Sequence, residues 1–154
     1  MTSRLKRNSI VLGSAIALIG AWEGLRTVAY RDPIGIPTIC FGETRNVKMG
    51  DVKTKDECRK MLGDRLLEFE RGMRACLKDP DKVPDGAYVA ALSLSYNIGT
   101  AAFCKSSVRK FLDAGSIGAA CDALLRFVKA GGITFPGLVN RRKAEREICL
   151  NGVK

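Results

Sequence analysis

Three side chains near the amino terminus have the chemistry that glycoside hydrolysis requires. Glu23 closes a long uncharged stretch, where a carboxyl group resists ionisation and can keep a proton. Asp32 precedes Pro33 in an expected turn, where water and main-chain amides can keep a carboxylate ionised, and Thr38 adds a hydroxyl group. Glycosidases use one carboxyl group to protonate the leaving oxygen and a second group to handle water or the sugar cation. Two carboxyl groups at this spacing are common by chance, so the spacing alone makes these residues only candidates for catalysis.

The composition narrows the alternatives. The chain has 154 residues and no histidine, which excludes a Ser-His or Cys-His catalytic pair and a zinc site with histidine ligands. Lys and Arg number 26 against 16 Asp and Glu, and the net charge of +10 favours an anionic partner. With one Trp and three Tyr, the chain lacks the aromatic side chains typical of single-strand nucleic-acid binders. A hydrophobic content of 46% fits one compact domain.

Six cysteines indicate a protein that folds outside the reducing cytosol. No pair has the C-x-x-C spacing of a thiolate metal site or a redox motif, and the even number fits three disulfides. Six cysteines allow about 15 pairings. We favour pairing between neighbours along the chain, with six buried free thiols as the alternative. The candidates are Cys40 with Cys58, Cys76 with Cys104, and Cys121 with Cys149.

The amino-terminal segment has two interpretations. Arg4, Lys6 and Arg7 precede a run without charges from Asn8 to Trp22, which resembles the start of a signal sequence. The run is short for a membrane span, which needs about 20 residues. A helix that is apolar nearly all round either enters a bilayer reversibly or becomes a buried first helix. We therefore divide the chain into a segment of residues 1–22 and a catalytic domain of residues 23–154.

The rest of the chain predicts an α+β fold that is mainly α. Residues 27–48 alternate apolar residues with Pro and Gly, which favours short β segments. Thr54 and Glu57 form a capping box that begins a helix. Four further helices are each followed by a glycine stop signal. Their predicted ranges are 85–98, 101–114, 116–130 and 136–150, and the charges of the last one predict a solvated face.

Three segments resemble the phage-type lysozymes, glycoside hydrolase family 24. Glu23-Gly24-Leu25-Arg26, Tyr30-Arg31-Asp32 and Gly35-Ile36-Pro37-Thr38-Ile39 match the family signature of Glu, eight residues, Asp, five residues and Thr. The segments 95–99 (SYNIG) and 137–145 (GLVNRRKAE) are similar to other parts of the family. The resemblance implies a lysozyme-like fold with a small amino-terminal β lobe and a larger helical lobe.

The resemblance also implies an activity. The protein would be an endolysin that hydrolyses the β-1,4 bond between N-acetylmuramic acid and N-acetylglucosamine in peptidoglycan and lyses the host cell. Glu23 would be the general acid, while Asp32 and Thr38 position the attacking water, which inverts the anomeric carbon. Asn97 and Arg141 would line the substrate cleft, the alternatives being a helix-end cap and a surface charge. No cofactor, no metal and no nucleic acid is implied, and we expect a monomer.

The uncharged run and the cysteines are similar to those of signal-anchor-release endolysins. In these enzymes a weak membrane segment exports the protein without cleavage and later joins the folded domain. The resemblance implies synthesis in the host cytoplasm, transient tethering to the inner membrane and action in the periplasm. Two rival activities stay open: a lytic transglycosylase that cuts the same bond, and a non-catalytic cationic protein that binds wall or membrane.

Overall fold

The computed structural model describes residues 2–153, and it is mainly helical with a small antiparallel hairpin near the amino terminus. This confirms the expected fold class. Short 3₁₀ turns occupy Pro80–Lys82 and Leu124–Arg126. The elements in chain order are α1 (Arg4–Arg7), α2 (Ser9–Glu23), β1 (Arg26–Arg31), β2 (Pro37–Cys40), α3 (Lys55–Cys76), α4 (Asp85–Ile98), α5 (Thr100–Lys105), α6 (Ser107–Asp113), α7 (Ile117–Ala123), β3 (Lys129–Ala130), β4 (Ile133–Thr134) and α8 (Pro136–Asn151).

Helix α4 is the centre of the helical lobe. Its residues from Gly86 to Ser95 are all buried, and it packs against α2, α3 and α8. At Gly86 the contact with α8 is so close that a Cβ atom would lie 2.2 Å from the carbonyl oxygen of Ile148. At the other end of the contact, the Ser93 carbonyl accepts a hydrogen bond from Arg141. The two helices are therefore antiparallel, and the end of α4 lies beside the start of α8.

The uncharged run forms α2, which packs into this lobe. Val11, Ala15 and Ile19 are fully buried and form a single stripe along the helix. The helix ends at Glu23, and β1 begins at Arg26. Across residues 2–153, the structure contains no helix with the length and apolar character needed to cross a membrane.

The β lobe is tied to the rest of the protein by α3. Strands β1 and β2 are antiparallel, with Tyr30 opposite Thr38 and Arg26 opposite Cys40. Helix α3 begins with the expected capping box at Thr54 and contacts β2, α4 and α5. It therefore joins the β lobe to the helical lobe.

Three disulfides connect neighbouring cysteines along the chain, as predicted. Cys40–Cys58 fastens β2 to α3, Cys76–Cys104 fastens the end of α3 to α5, and Cys121–Cys149 fastens α7 to α8. Each bridge therefore joins two different elements, and all six cysteines are paired.

Two of the predicted helices are wrong in part. The helix expected over 101–114 is divided at Ser106, whose side chain accepts the N–H of Arg109 and caps α6 instead of continuing α5. The helix expected over 116–130 stops at Ala123, and β3 and β4 form a short hairpin after it. Gly131 and Gly132 both adopt positive φ, which suits a tight hairpin turn and not a simple helix stop.

Candidate active site

Glu23, the last residue of α2, forms an ion pair at the surface of the helical lobe. Its side chain is 24% exposed, and Nη1 of Arg141 donates to Oε1 at 2.6 Å. Glu23 thus ends an uncharged helix, as the sequence indicates, and a guanidinium group from α8 lies against its carboxyl group. The other oxygen, Oε2, accepts no hydrogen bond from residues 2–153 and is open to a ligand.

Arg141 belongs to a buried charged cluster between α4 and α8. Its Nε lies 3.4 Å from Oε2 of Glu145, and Nε of Arg142 lies 2.8 Å from Oε1 of the same carboxylate. The hydroxyl of Ser93 also donates to Glu145. Arg141, Arg142 and Glu145 are buried, so the solvated face predicted for α8 is wrong at these three residues, and so is the surface-charge alternative for Arg141. Lys143 and Glu147 are exposed, as that prediction expects. With Glu23 and Glu145 both ionised, the cluster of two arginines and two carboxylates has no net charge.

Burial disfavours the charged forms of the side chains in this cluster. It raises the pKa of the Glu145 carboxyl, while the charges of Arg142 and Arg141 oppose that rise. Burial likewise lowers the pKa of the Arg142 guanidinium, and Glu145 opposes that change. Because these charges are excluded from water, each one depends on its partners for compensation. The position of Arg141 against Glu23 is therefore coupled to the whole cluster.

Asp32 and Thr38 meet at one main-chain carbonyl. The carbonyl of Ile36 accepts the N–H of Asp32 at 3.0 Å and the hydroxyl of Thr38 at 2.9 Å. Oδ1 of Asp32 accepts the N–H groups of Ile34 and Ile36 at 3.0 and 2.9 Å, which confirms the predicted turn with main-chain donors. Within the described part of the chain, no donor reaches Oδ2 of Asp32. The structure thus brings Asp32 and Thr38 together, with a carboxylate oxygen to spare.

Tyr96 connects α4 to Phe41, the residue that follows β2. Its hydroxyl donates to the Phe41 carbonyl at 3.2 Å, and its ring packs on Phe69 with centroids 4.9 Å apart. Burial, helped by the negative charges of Glu23 and Glu43, raises the pKa of Tyr96 to about 12. The hydroxyl therefore stays protonated and keeps the end of α4 joined to the hairpin.

Asn97 and three residues that the sequence analysis missed complete the description. Asn97 is exposed at the end of α4 and makes no side-chain hydrogen bond to residues 2–153. Ser93, Tyr96 and Glu145 were missed. A serine in the apolar sequence of α4 was one available signal, and the spacing of Arg141 and Glu145 was another. The spacing of Arg141 and Glu145 did not reveal the buried cluster, because ion pairs on helices usually face solvent.

Comparisons with known proteins agree with this geometry. The family model "Phage lysozyme" matches residues 20–145. The chain belongs to the phage lysozyme family. The SAR-endolysin of Enterobacteria phage P21 is 37% identical over 131 residues, which cover 84% of this chain and 78% of that protein. This family membership makes the protein a glycoside hydrolase, a muramidase that acts on bacterial peptidoglycan.

Two solved structures of one phage endolysin add a comparison of conformations. The active form of the P1 phage endolysin Lyz superposes with a TM-score of 0.80 at 28% identity, covering 94% of this chain and 91% of that chain. Its secreted inactive form superposes with a TM-score of 0.59 at 25% identity, covering 90% of this chain and 94% of that chain. The lysozyme fold of this chain is therefore more similar to the active form.

Proposed function

We propose that Glu23 is the general acid for cleavage of the β-1,4 bond between N-acetylmuramic acid and N-acetylglucosamine. The observation that carries this role is the Glu23 carboxyl group, which has Oε1 on Arg141 and Oε2 open. With Oε1 accepting from the guanidinium, the catalytic proton belongs on Oε2. From there it passes to the bridging oxygen as the glycosidic bond breaks, so that the leaving sugar departs as an alcohol.

Asp32 and Thr38 supply the water in this proposal. The hydroxyl of Thr38 donates its hydrogen bond to the Ile36 carbonyl, so Oγ1 can accept a hydrogen bond from a water molecule. Oδ2 of Asp32 can accept the other O–H of that water and take its proton as the C–O bond forms, while the proton facing Thr38 stays on the new sugar hydroxyl. A water held by both donates its lone pair to the anomeric carbon from the face opposite the leaving group. We therefore expect hydrolysis with inversion of configuration.

The two other predicted site residues take different parts. Arg141 is committed to Glu23 and Glu145, so we propose that it orients the acid instead of binding sugar. Asn97 is exposed next to Tyr96, and its amide is free to form hydrogen bonds to an N-acetyl or hydroxyl group of the glycan.

The test of these roles is hydrolysis of purified peptidoglycan by three variants. Glu23→Gln should lose roughly 10²–10⁴-fold in kcat, because the general acid is removed. Asp32→Asn and Thr38→Ala should also lower kcat, with the smaller effect at Thr38. Glu147→Gln, an exposed substitution on α8, is the matched control.

Analysis of the products separates hydrolysis from the rival activities. Reducing ends in the α configuration, observed by NMR at early times, indicate inverting hydrolysis. An anhydro sugar would instead identify a lytic transglycosylase and would exclude water as the attacking nucleophile. Full bacterial killing by Glu23→Gln would identify a cationic binding protein.

We further propose that residues 1–22 tether the chain to the inner membrane before they join residues 23–154 as the folded enzyme. The uncharged sequence of α2, the names of the SAR-endolysin relatives and the greater similarity to the active form of the P1 endolysin support this proposal. The enzyme would then be exported from the cytoplasm and act in the periplasm. Fractionation of expressing cells tests it: a protein that is always soluble and never reaches the periplasm without a holin would contradict the tether.

The excess positive charge fits an anionic cell wall as the partner. We propose that the enzyme acts as a monomer without nucleic acid and that its net charge of +10 speeds approach to the wall. Lytic activity should then fall as salt rises, because exposed charges are screened within about 8 Å at physiological ionic strength. Light scattering in solution tests whether the protein is a monomer. A lytic rate that is independent of salt would contradict the proposal that net charge speeds approach to the wall.

A further inference from the structure

The segment before α2 is held by a buried carboxylate on α3. Glu70 is 1% exposed, and it accepts the main-chain N–H groups of Arg4 and Leu5 at 2.9 and 3.1 Å. The hydroxyl of Ser3 also donates to it, and the hydroxyl of Tyr88 donates at 2.5 Å. Three of these four donors belong to the amino-terminal segment. We call Ser3, Arg4 and Leu5 together with Glu70 and Tyr88 the amino-terminal clasp.

The side chain of Arg4 fastens the same segment to the loop before α4. Its Nη1 donates to the Val83 carbonyl at 2.6 Å and lies 3.2 Å from Asp85, while Nη2 donates to the Pro80 carbonyl at 2.9 Å. Its guanidinium carbon is 4.0 Å from the centroid of the Tyr88 ring, which adds a cation–π contact. The Arg4 side chain is only 10% exposed, so these contacts are buried and do not lie on the open surface.

Helix α2 needs such a fastening because its own sequence specifies its position weakly. The run from Asn8 to Trp22 has no charge, and its fully buried stripe consists of Val11, Ala15 and Ile19. A helix without a polar face loses little when it rotates or slides, because apolar side chains replace one another in the contact. Buried polar contacts with one geometry can fix a register that apolar packing leaves open.

The clasp is connected to α2 without a flexible linker. Asn8 donates its N–H to the Arg4 carbonyl, and its side chain accepts the N–H groups of Ile10 and Val11, so it caps α2 directly after α1. Glu23 is the last of the 15 residues of α2. A shift by one residue in a helix moves a side chain about 1.5 Å along the axis and about 100° around it. Such a shift would separate the Glu23 carboxyl group from Arg141.

We propose that the amino-terminal clasp fixes the register of α2 and thereby places Glu23 against Arg141. Arg4 and Glu70 are positioning residues, and this inference rests on the proposed role of Glu23 as the acid. Whenever the amino-terminal segment is held elsewhere, Glu70 loses three of its four donors and keeps only Tyr88 from this set. Docking of the segment and placement of the acid are therefore one coupled step.

The experiment uses the full chain with Arg4→Met and Glu70→Gln, each studied well below its own unfolding midpoint. Lys6→Met is the matched control, because Lys6 is exposed on the same turn. The readouts are kcat and KM on solubilised glycan strands, and acrylamide quenching of Trp22, the single tryptophan and the neighbour of Glu23. We expect kcat to fall about tenfold or more with KM nearly unchanged, since small misplacements of a catalytic group are costly. Quenching of Trp22 should rise in both variants and stay at the wild-type level in the control.

Wild-type kcat and quenching in both clasp variants would overturn the proposal. Hydrogen exchange in the wild type gives a second test that needs no substitution: the amides of Arg4 and Leu5 should exchange as slowly as those in the middle of α3. Exchange as fast as in an exposed loop would also overturn it, and this test stands if a variant fails to fold. If the wild type does not cleave glycan at all, the proposed function fails, while the Trp22 and exchange data still decide the clasp.

Discussion

Replacing Glu145 by Gln removes the negative charge that lies between two buried arginines of α8. The side chains of Glu145 and Arg142 are 0% exposed, and that of Arg141 is 5% exposed. In the variant, Glu23 is the negative charge that remains near the guanidinium groups of Arg141 and Arg142, and its side chain is partly exposed to water. We therefore expect a large loss of stability together with a loss of activity, because in the proposed mechanism Arg141 orients Glu23.

The magnitude follows from the burial of the pair. Breaking a buried ion pair by removing one partner costs about 3–5 kcal/mol. In a domain of this size, about 2–4 °C of midpoint is lost per kcal/mol, so the thermal midpoint should fall by roughly 6–20 °C. Glu147→Gln, the exposed substitution two residues further along α8, should leave the midpoint nearly unchanged.

A double-mutant cycle separates the charge effect from simple damage to packing. Arg142→Met removes a positive charge and keeps an unbranched side chain. The double variant Glu145→Gln/Arg142→Met restores the charge balance of the cluster. We expect the double variant to be more stable than the sum of the two single effects by about 1–3 kcal/mol, within the range of coupling energies measured for neighbouring residues. Differential scanning calorimetry gives the four stabilities. Additive effects of the two substitutions would refute the compensation of charges described here.

Three further predictions concern packing, cross-links and acid. Gly86→Ala should cost roughly 1–3 kcal/mol by calorimetry, because its Cβ would lie 2.2 Å from a main-chain oxygen of α8; a neutral result would show that the helices can separate. Replacing Cys76 and Cys104 by Ser opens a bridge between residues 28 apart, and urea unfolding should show a loss of about 3–4 kcal/mol; an unchanged midpoint would contradict this estimate. Burial disfavours the charge on Glu43, but hydrogen bonds led by Arg65 outweigh it and lower its pKa below the ordinary 4.5. The unfolded chain therefore binds this proton first as pH falls, and stability is lost on acidification. In Glu43→Gln, urea midpoints should fall less steeply below about pH 5 than in the wild type, and an equal slope would exclude Glu43 as a contributor.

The sequence predicted best those features that depend on local chemistry. The capping box at Thr54, the range of α4 and the turn at Asp32 were all predictable, because short-range hydrogen bonds and glycine stops determine them. The neighbouring disulfides were also predicted, although the sequence alone left other pairings open. The catalytic roles of Glu23, Asp32 and Thr38 came from the spacing together with the family resemblance, and they stay predictions.

The features that the sequence could not predict depend on contacts between distant segments. Whether the charges of α8 face water or α4 depends on how two helices approach, which the 3.6-residue pattern of one helix does not contain. The same holds for Glu70, because its donors in the amino-terminal segment precede it by more than sixty residues. The hairpin after α7 was missed because a pair of glycines suits both a helix end and a tight turn.

The joint use of the Ile36 carbonyl has an evolutionary consequence. Asp32 and Thr38 are held together by a main-chain oxygen, and the Asp32 carboxylate is held by main-chain amides, so the side chains between them are not needed for that arrangement. Ile34 and Ile36 are 80% and 41% exposed at the tip of the hairpin. Selection can therefore exchange these two side chains without disturbing the main-chain hydrogen bonds that hold Asp32 and Thr38 together.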